Sequence, residues 1–284
     1  MVHSTTAYID SALSYTWGSK KRSMNVKVNG FLLGVRMNLH NFLMIMQKDT
    51  QFCETKLLWI DQICIDQSNV RERNHQVGQM SEIYKTAAEV LIWLGPGTSH
   101  SRSLVMAIDN FYGFNTPPDR ICALKFQRLF KASQFLNLPY WSRLWIIQEV
   151  LLARCLRITW GIDRLDWVKL DFLIKGLIFG GHLANAGVDD GLGSNSKDHL
   201  QRLVEARQHD RQKDGNYRYS WHGALALAEY TDCQDPRDRI YGLLGLLDPS
   251  QAIQPDYTKP LYQVFDEMMA VAPDRTTNRI VRYI

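Results

Sequence analysis

Short apolar runs alternate along the chain with segments whose apolar residues recur at helical spacing. Three of the runs are predicted to be strands, namely Tyr8–Trp17, Leu57–Asp61 and Glu89–Leu94, and the second is continuous and apolar, as a buried parallel strand would be. The Asn-Gly pair within residues 26–33, flanked by alternating positions, predicts a β-hairpin. Strands separated by helical segments of these lengths predict right-handed βαβ units and a parallel sheet, so the fold class is α/β.

The second half of the chain is predominantly helical in its pattern. It has one further predicted strand, Cys155–Trp160, followed by a predicted helix, Trp167–Phe179. The predicted organisation is an α/β core over residues 1–180, a flexible loop rich in Gly, Asn and Asp over 181–196, and a helical C-terminal part over 197–284 that packs on the core.

Glu149 stands alone as a charged residue in a long apolar segment. The segment Tyr140–Ala153 predicts one helix that is buried nearly all round, and Glu149 is its only charge between Arg143 and Arg154. A buried carboxylate is unfavourable unless it is paired, hydrogen-bonded or used in chemistry. Either Glu149 belongs to a functional site, or it forms a structural ion pair with a cation such as Arg143 or Arg73.

Composition excludes several classes of protein. With 45% hydrophobic residues, 22% charged residues and a net charge of +4, the chain predicts an ordinary globular core and no nucleic-acid partner. Its odd number of scattered cysteines, without a Cys-x-x-Cys pair, favours reduced thiols in a cytoplasmic protein and no metal site. No apolar stretch reaches the ~18 residues of a membrane span.

Several sequence blocks together resemble the fungal heterokaryon-incompatibility (HET) domain. They are Ala-Leu-Ser-Tyr-Thr-Trp-Gly at 12–18, Leu-Trp-Ile-Asp-Gln-Ile-Cys-Ile-Asp-Gln at 58–67, and Trp-Ser-Arg-Leu-Trp-Ile-Ile-Gln-Glu at 141–149. The block Asp-Pro-Arg-Asp-Arg-Ile-Tyr at 235–241 is similar to the segment that follows this domain. One departure is Asp66, where the family usually has Asn.

HET domains are similar in turn to Toll/interleukin-receptor (TIR) domains. The resemblance implies a TIR-like, flavodoxin-like parallel sheet flanked by helices, with helical insertions and a helical C-terminal extension. Ser142, Trp145 and Glu149 have the spacing of a TIR pattern in which the glutamate cleaves the nicotinamide–ribose bond of NAD+. The resemblance therefore implies that Glu149 is catalytic and that NAD+ is a substrate, with no further cofactor.

Cleavage of this bond places particular demands on a site. Nicotinamide leaves as a neutral base, so positive charge develops on the ribose, and one carboxylate in an apolar surrounding stabilises it. Backbone N–H groups at residues 17–18 and the cations at 20–22 are candidates to hold the pyrophosphate. The predicted substrate-binding residues are Ser14, Tyr15, Trp17, Gly18, Asp61, Ser142, Arg143 and Trp145.

Alternatives remain open at this stage. Asp61 is equally well explained as a cap of the helix that follows it, and Trp145 as a core residue.

The expected function is a cell-death effector that is activated by self-association, with a homo-oligomer as its active form and an upstream recognition domain or partner. The alternatives are a non-catalytic signalling module of heterokaryon incompatibility, and a domain that binds NAD+ without turnover.

Overall fold

The computed structural model describes residues 9–21, 23–49, 57–112, 135, 138–179, 194–212 and 218–272. The strands are β1 (Ser11–Tyr15), β2 (Ser23–Val28), β3 (Phe31–Arg36), β4 (Leu58–Trp59), β5 (Glu89–Trp93), β6 (Leu156–Trp160) and β7 (Asp163–Asp166). The helices are α1 (Met37–Met46), α2 (Asp61–Cys64), α3 (Val70–Thr86), α4 (Ser99–Tyr112), α5 (Ile146–Leu151), α6 (Trp167–Phe179), α7 (Ser194–Gln212), α8 (Trp221–Leu227), α9 (Asp238–Tyr241) and α10 (Leu261–Val271). Two 3₁₀ turns, Leu244–Leu246 and Pro249–Gln251, precede α10.

The main sheet has the strand order β4-β1-β5-β6-β7, in which the first four strands are parallel and β7 is antiparallel. Numbered without the separate β2–β3 hairpin, this order is 2-1-3-4-5, which is the flavodoxin-like order. The predicted α/β class and mostly parallel sheet are confirmed. The antiparallel β7, which pairs with β6 across a short turn, is absent from the sequence prediction.

Alternation along the central strands divides the core between the two faces of the sheet. Ala12 of β1 packs into the larger cluster with α3, α5 and the C-terminal helices, whereas Leu13 and Tyr15 pack into a smaller cluster under α1. All five residues of β1 are buried because helices cover both faces. Trp221 and Met268, from the C-terminal part, belong to the larger cluster and are fully buried.

Several predicted boundaries near the first strands are wrong in detail. Strand β1 spans only Ser11–Tyr15 of the predicted Tyr8–Trp17 run, and the Asn38 side chain of α1 donates to the Thr16 carbonyl and accepts from the Trp93 indole. Strand β4 spans only Leu58–Trp59 of the predicted Leu57–Asp61 run, because α2 begins at Asp61, and Asn69 caps α3. The partners of Asn38 lie after β1 and on β5, and local pattern does not reveal them.

The hairpin and most later elements follow the predictions. Asn29 and Gly30 both have positive φ, as a type I′ turn requires. Helix α6 has the predicted bounds. Residues 181–193 of the predicted loop lie outside the described residues, and residues 194–196 form the start of α7. In the described part of the chain, no helix is both long and apolar enough to cross a membrane.

Replacement of Gly161 by alanine is expected to destabilise the fold by about 3 kcal/mol. Gly161 has a φ of +63°, and a Cβ there would lie 2.6 Å from the Gly97 nitrogen, so backbone would have to move. The matched control is Gly34→Ala, whose Cβ meets only the Asn25 side chain at 3.9 Å. Thermal unfolding of both variants checks this; similar melting temperatures would contradict it.

Candidate functional site

A cleft of about 760 Å³ opens beyond the carboxyl ends of β1 and β4. Its volume falls in the range of roughly 300–1,000 Å³ that is typical of small-molecule sites. Part of its lining comes from the loop after β1 and from α2 and α3, and another part, called here the C-terminal wall, comes from residues 232–238 and Tyr257. The lining residues that bear on the chemistry are Trp17, Gly18, Lys20, Arg36, Asp61, Arg73, Arg143, Trp145, Asp232, Asp235, Arg237, Asp238 and Tyr257.

Asp61 is the first residue of α2 and is held by two donors. Its Oδ2 accepts from the Trp17 indole at 2.7 Å, and its Oδ1 accepts from the Gln62 backbone N–H at 2.7 Å. Burial raises the pKa of Asp61, and the nearby positive charge of Arg143 opposes that rise. The Trp17 indole is covered in turn by the Arg36 guanidinium, 4.6 Å from the ring centre. This carboxylate is therefore fixed in position at the edge of the cleft.

Glu149 is almost completely buried, and it forms a bidentate ion pair with Arg143. The two guanidinium nitrogens Nη1 and Nη2 donate to Oε2 and Oε1 at 3.3 Å and 3.2 Å. The side chain of Glu149 is 2% exposed and that of Arg143 is 17% exposed. Arg143 lines the cleft and Glu149 does not, so the guanidinium stands between the carboxylate and the cleft. Burial raises the pKa of Glu149, and Arg143 opposes this.

Two buried hydroxyl groups, those of Ser14 and Tyr140, form a hydrogen-bonded chain that ends at Glu149. The Ser14 hydroxyl donates to Glu149 Oε2, and it lies 2.7 Å from the Tyr140 hydroxyl. Because the serine hydroxyl has a single proton, Tyr140 is then the donor to Ser14. Glu149 thus accepts three hydrogen bonds, which is the environment of an ionised carboxylate.

The predicted long helix around Glu149 is wrong in extent, because α5 spans only six residues. Residues before it form turns, since Leu144 donates its N–H to the Asp232 carbonyl at 3.0 Å and Asp232 donates to the Ser142 carbonyl. The C-terminal segment therefore takes the backbone groups that a longer helix would use. The turn of helix between Trp145 and Glu149 is kept, because the Glu149 N–H donates to the Trp145 carbonyl at 3.2 Å.

The structure divides the predicted site residues into two groups. Trp17, Gly18, Asp61, Arg143 and Trp145 line the cleft, whereas Ser14, Tyr15, Ser142 and Glu149 do not.

The residues outside the cleft have internal partners. The hydroxyl of Tyr15 donates to Gln62 Oε1 at 3.3 Å, and that of Ser142 donates to the Pro139 carbonyl at 3.2 Å. Of the predicted pyrophosphate cations, Lys20 lines the cleft, Lys21 does not, and Arg22 lies outside the described residues.

The C-terminal wall of the cleft is the part that sequence reasoning missed. Asp238 accepts from the Tyr257 hydroxyl and from the Trp145 indole, the latter at 3.3 Å. Arg237 forms a bidentate pair with Asp235. The signal in the sequence that points to this wall is the group of charged residues Asp235, Arg237 and Asp238 in the block at 235–241.

Asp238 should make stability depend on pH in a defined window. Burial raises the pKa of Asp238 to about 6, so the folded state favours its protonated form. The resulting stabilisation is full below the unfolded pKa near 4 and is lost as the pH rises to about 6. We therefore expect Asp238→Asn, which does not titrate, to gain in melting temperature relative to the wild type across this window. Parallel melting curves from pH 4 to 7 would contradict the assignment.

Comparisons with known proteins agree with the blocks of sequence that surround the site. Residues 11–149 match the family described as heterokaryon incompatibility protein (HET). Heterokaryon incompatibility protein 6, OR allele, of Neurospora crassa is 26% identical over 319 aligned residues, which cover 90% of this chain and 46% of that protein. The chain thus spans about half the length of this relative. No solved structure matches the chain. Over residues 11–149, just under half of its length, the chain therefore matches the heterokaryon incompatibility (HET) family.

Proposed function

We propose that the chain acts in heterokaryon incompatibility as an effector of cell death that hydrolyses NAD+ at the nicotinamide–ribose bond, with Glu149 as the catalytic carboxylate. The observation that supports this most is the position of Glu149 directly behind Arg143, a residue of the cleft, at the carboxyl ends of a flavodoxin-ordered sheet. Ligands of such sheets bind at this edge.

The chemical step needs one anionic group and one water molecule. The bond between the ribose carbon and the pyridinium nitrogen breaks, and its electron pair leaves with neutral nicotinamide. The ribosyl cation that develops takes a hydroxyl from water, and the remaining proton goes to solvent, giving ADP-ribose. The negative charge of Glu149 would stabilise the cation in a surrounding that contains little water.

Arg143 sets the resting state of this proposed site. While its guanidinium holds both oxygens of Glu149, the carboxylate is neutralised and is separated from the cleft. Glu149 becomes available to ribose only when Arg143 moves toward another anion or is displaced. We therefore expect the isolated chain to be slow, and we propose that self-association favours the displaced state of Arg143.

This proposal predicts a rate that depends on protein concentration. The chain is incubated with NAD+ over a hundredfold range of protein concentration, and nicotinamide and ADP-ribose are measured by chromatography. The rate per molecule is expected to rise with concentration because associated chains are the active form. A constant rate per molecule would remove self-association from the account, and intact NAD+ at every concentration would remove hydrolysis.

A second candidate is a non-catalytic signalling module of heterokaryon incompatibility. The observation that favours it is that Glu149 is fully satisfied by Arg143 and Ser14, as a purely structural residue would be. In that case Glu149→Gln would lower the melting temperature and there would be no NAD+ turnover to lose. Measuring stability and NAD+ turnover on the same variant separates the two candidates.

A further inference from the structure

Arg73 occupies an unusual position on the wall of the cleft. It lies in the first turns of α3, and its guanidinium stacks on the ring of Tyr257 with its central carbon 3.7 Å from the ring centre. Arg73 and Tyr257 both line the cleft. Two segments far apart in sequence thus meet at this point, and the contact that joins them is a cation on an aromatic face.

The other arginines of the cleft are engaged in hydrogen bonds, whereas Arg73 is not. Arg143 binds Glu149, Arg237 binds Asp235 and two backbone carbonyls, and Arg36 donates to the Gly18 carbonyl. Within the described residues, the Arg73 side chain donates no hydrogen bond, and its buried Nε has no acceptor. A guanidinium that is held by ring stacking keeps its Nη donors for something else.

The neighbouring carboxylates of Asp235 and Asp238 do not form ion pairs with Arg73. Its charge acts on Asp235 and Asp238 and favours their ionised forms, but neither carboxylate comes within ion-pair distance of it among the described residues. Asp235 is bound by Arg237, and Asp238 by Tyr257 and Trp145. Asp235 and Asp238 therefore already have partners, and no acid among the described residues pairs with the Nη edge of Arg73.

We propose that Arg73, stacked on Tyr257, binds a phosphate group of the ligand that enters the cleft, and that the ligand is a nucleotide with a diphosphate. A planar guanidinium held in a fixed orientation suits bidentate contact with phosphate oxygens. This assignment rests on the proposed function for the cleft that the ligand enters and for the choice of a diphosphate nucleotide as the ligand. It places the diphosphate against α3 and Tyr257, where the two segments meet.

Titration calorimetry with ADP tests the assignment, because ADP has the diphosphate but no glycosidic bond to nicotinamide. Arg73→Gln is expected to weaken ADP binding by about 10- to 100-fold, because the charged hydrogen bonds between the guanidinium and the phosphate are lost. Arg71→Gln is the matched control, because Arg71 is exposed in the same turn of α3 and does not line the cleft. It should bind ADP as the wild type does. Adenosine, which lacks phosphate, should bind all three proteins alike.

Two substitutions at Tyr257 test the role of the ring. Tyr257→Phe keeps the stacking surface and should retain ADP affinity within about threefold, whereas Tyr257→Leu should lose it as Arg73→Gln does. Arg73→Lys keeps the charge without the planar fork and should fall between Gln and the wild type. Circular dichroism establishes that each variant is folded.

The outcomes separate this assignment from the proposed hydrolysis. Equal ADP affinity in the wild type and Arg73→Gln, or no ADP binding by the wild type at millimolar concentration, overturns the assignment. ADP binding that depends on Arg73 supports it even if NAD+ is never cleaved, and in that case only the proposed hydrolysis fails. If Arg73→Gln cleaves NAD+ with the same KM as the wild type, the proposed hydrolysis is supported and the assignment of Arg73 to a phosphate is overturned.

Discussion

Replacement of Arg143 by leucine is expected to lower the free energy of unfolding by about 3–5 kcal/mol. The substitution leaves the nearly inaccessible carboxylate of Glu149 without its bidentate partner, and only the Ser14 hydroxyl still donates to it. An unpaired buried charge is far less favourable than a paired one. Denaturant unfolding of the wild type and of Arg143→Leu measures the difference.

A double-mutant cycle isolates the ion pair from other effects of the substitution. In Arg143→Leu/Glu149→Leu both charges are absent, so most of the lost stability should return. Arg71→Leu, in an exposed position, should change stability by less than about 0.5 kcal/mol. If Arg143→Leu lowers the free energy of unfolding by less than about 1 kcal/mol, Glu149 is not a buried charge that depends on Arg143.

Glu149→Gln is expected to reduce kcat for NAD+ cleavage by at least about 100-fold, because the amide has nearly the same shape but no charge to stabilise the ribosyl cation. Binding should survive, since Glu149 does not line the cleft. The affinity for ADP-ribose, measured by calorimetry, should therefore agree with the wild type within about threefold.

The control for this variant is Glu82→Gln, which removes a glutamate from an exposed position of α3. It should leave both the rate and the affinity unchanged. If Glu149→Gln loses ADP-ribose affinity to the same degree as rate, the glutamate acts in binding or folding, and its assignment as the catalytic group fails.

Much of the sheet follows from local pattern. The run that becomes β5 is apolar from Val90 to Trp93 and is buried throughout, and such a run can be read from sequence. The Asn29–Gly30 turn also follows from local chemistry, because it needs positive φ at both positions. The antiparallel β7 has a mixed pattern, with two exposed residues, and pattern alone does not distinguish it from a loop.

The cleft depends on contacts that local pattern does not contain. Asp232 replaces helix hydrogen bonds around Ser142 and Leu144, and it shortens the helix that sequence periodicity predicts. The stacking of Arg73 on Tyr257 joins residues that are separated by most of the chain. Sequence analysis could name Arg143 as a partner of Glu149, but only the fold shows that Arg143 faces the cleft and Glu149 lies behind it.

The release of nicotinamide from NAD+ by the wild type and by Glu149→Gln, at equal and high protein concentration, tests the central claim most directly. Both proteins should first have matching circular dichroism spectra. We predict equal amounts of nicotinamide and ADP-ribose from the wild type and no release above background from the variant. NAD+ that remains intact with the wild type, or equal release by the two proteins, would contradict the assignment of Glu149 as the catalytic carboxylate.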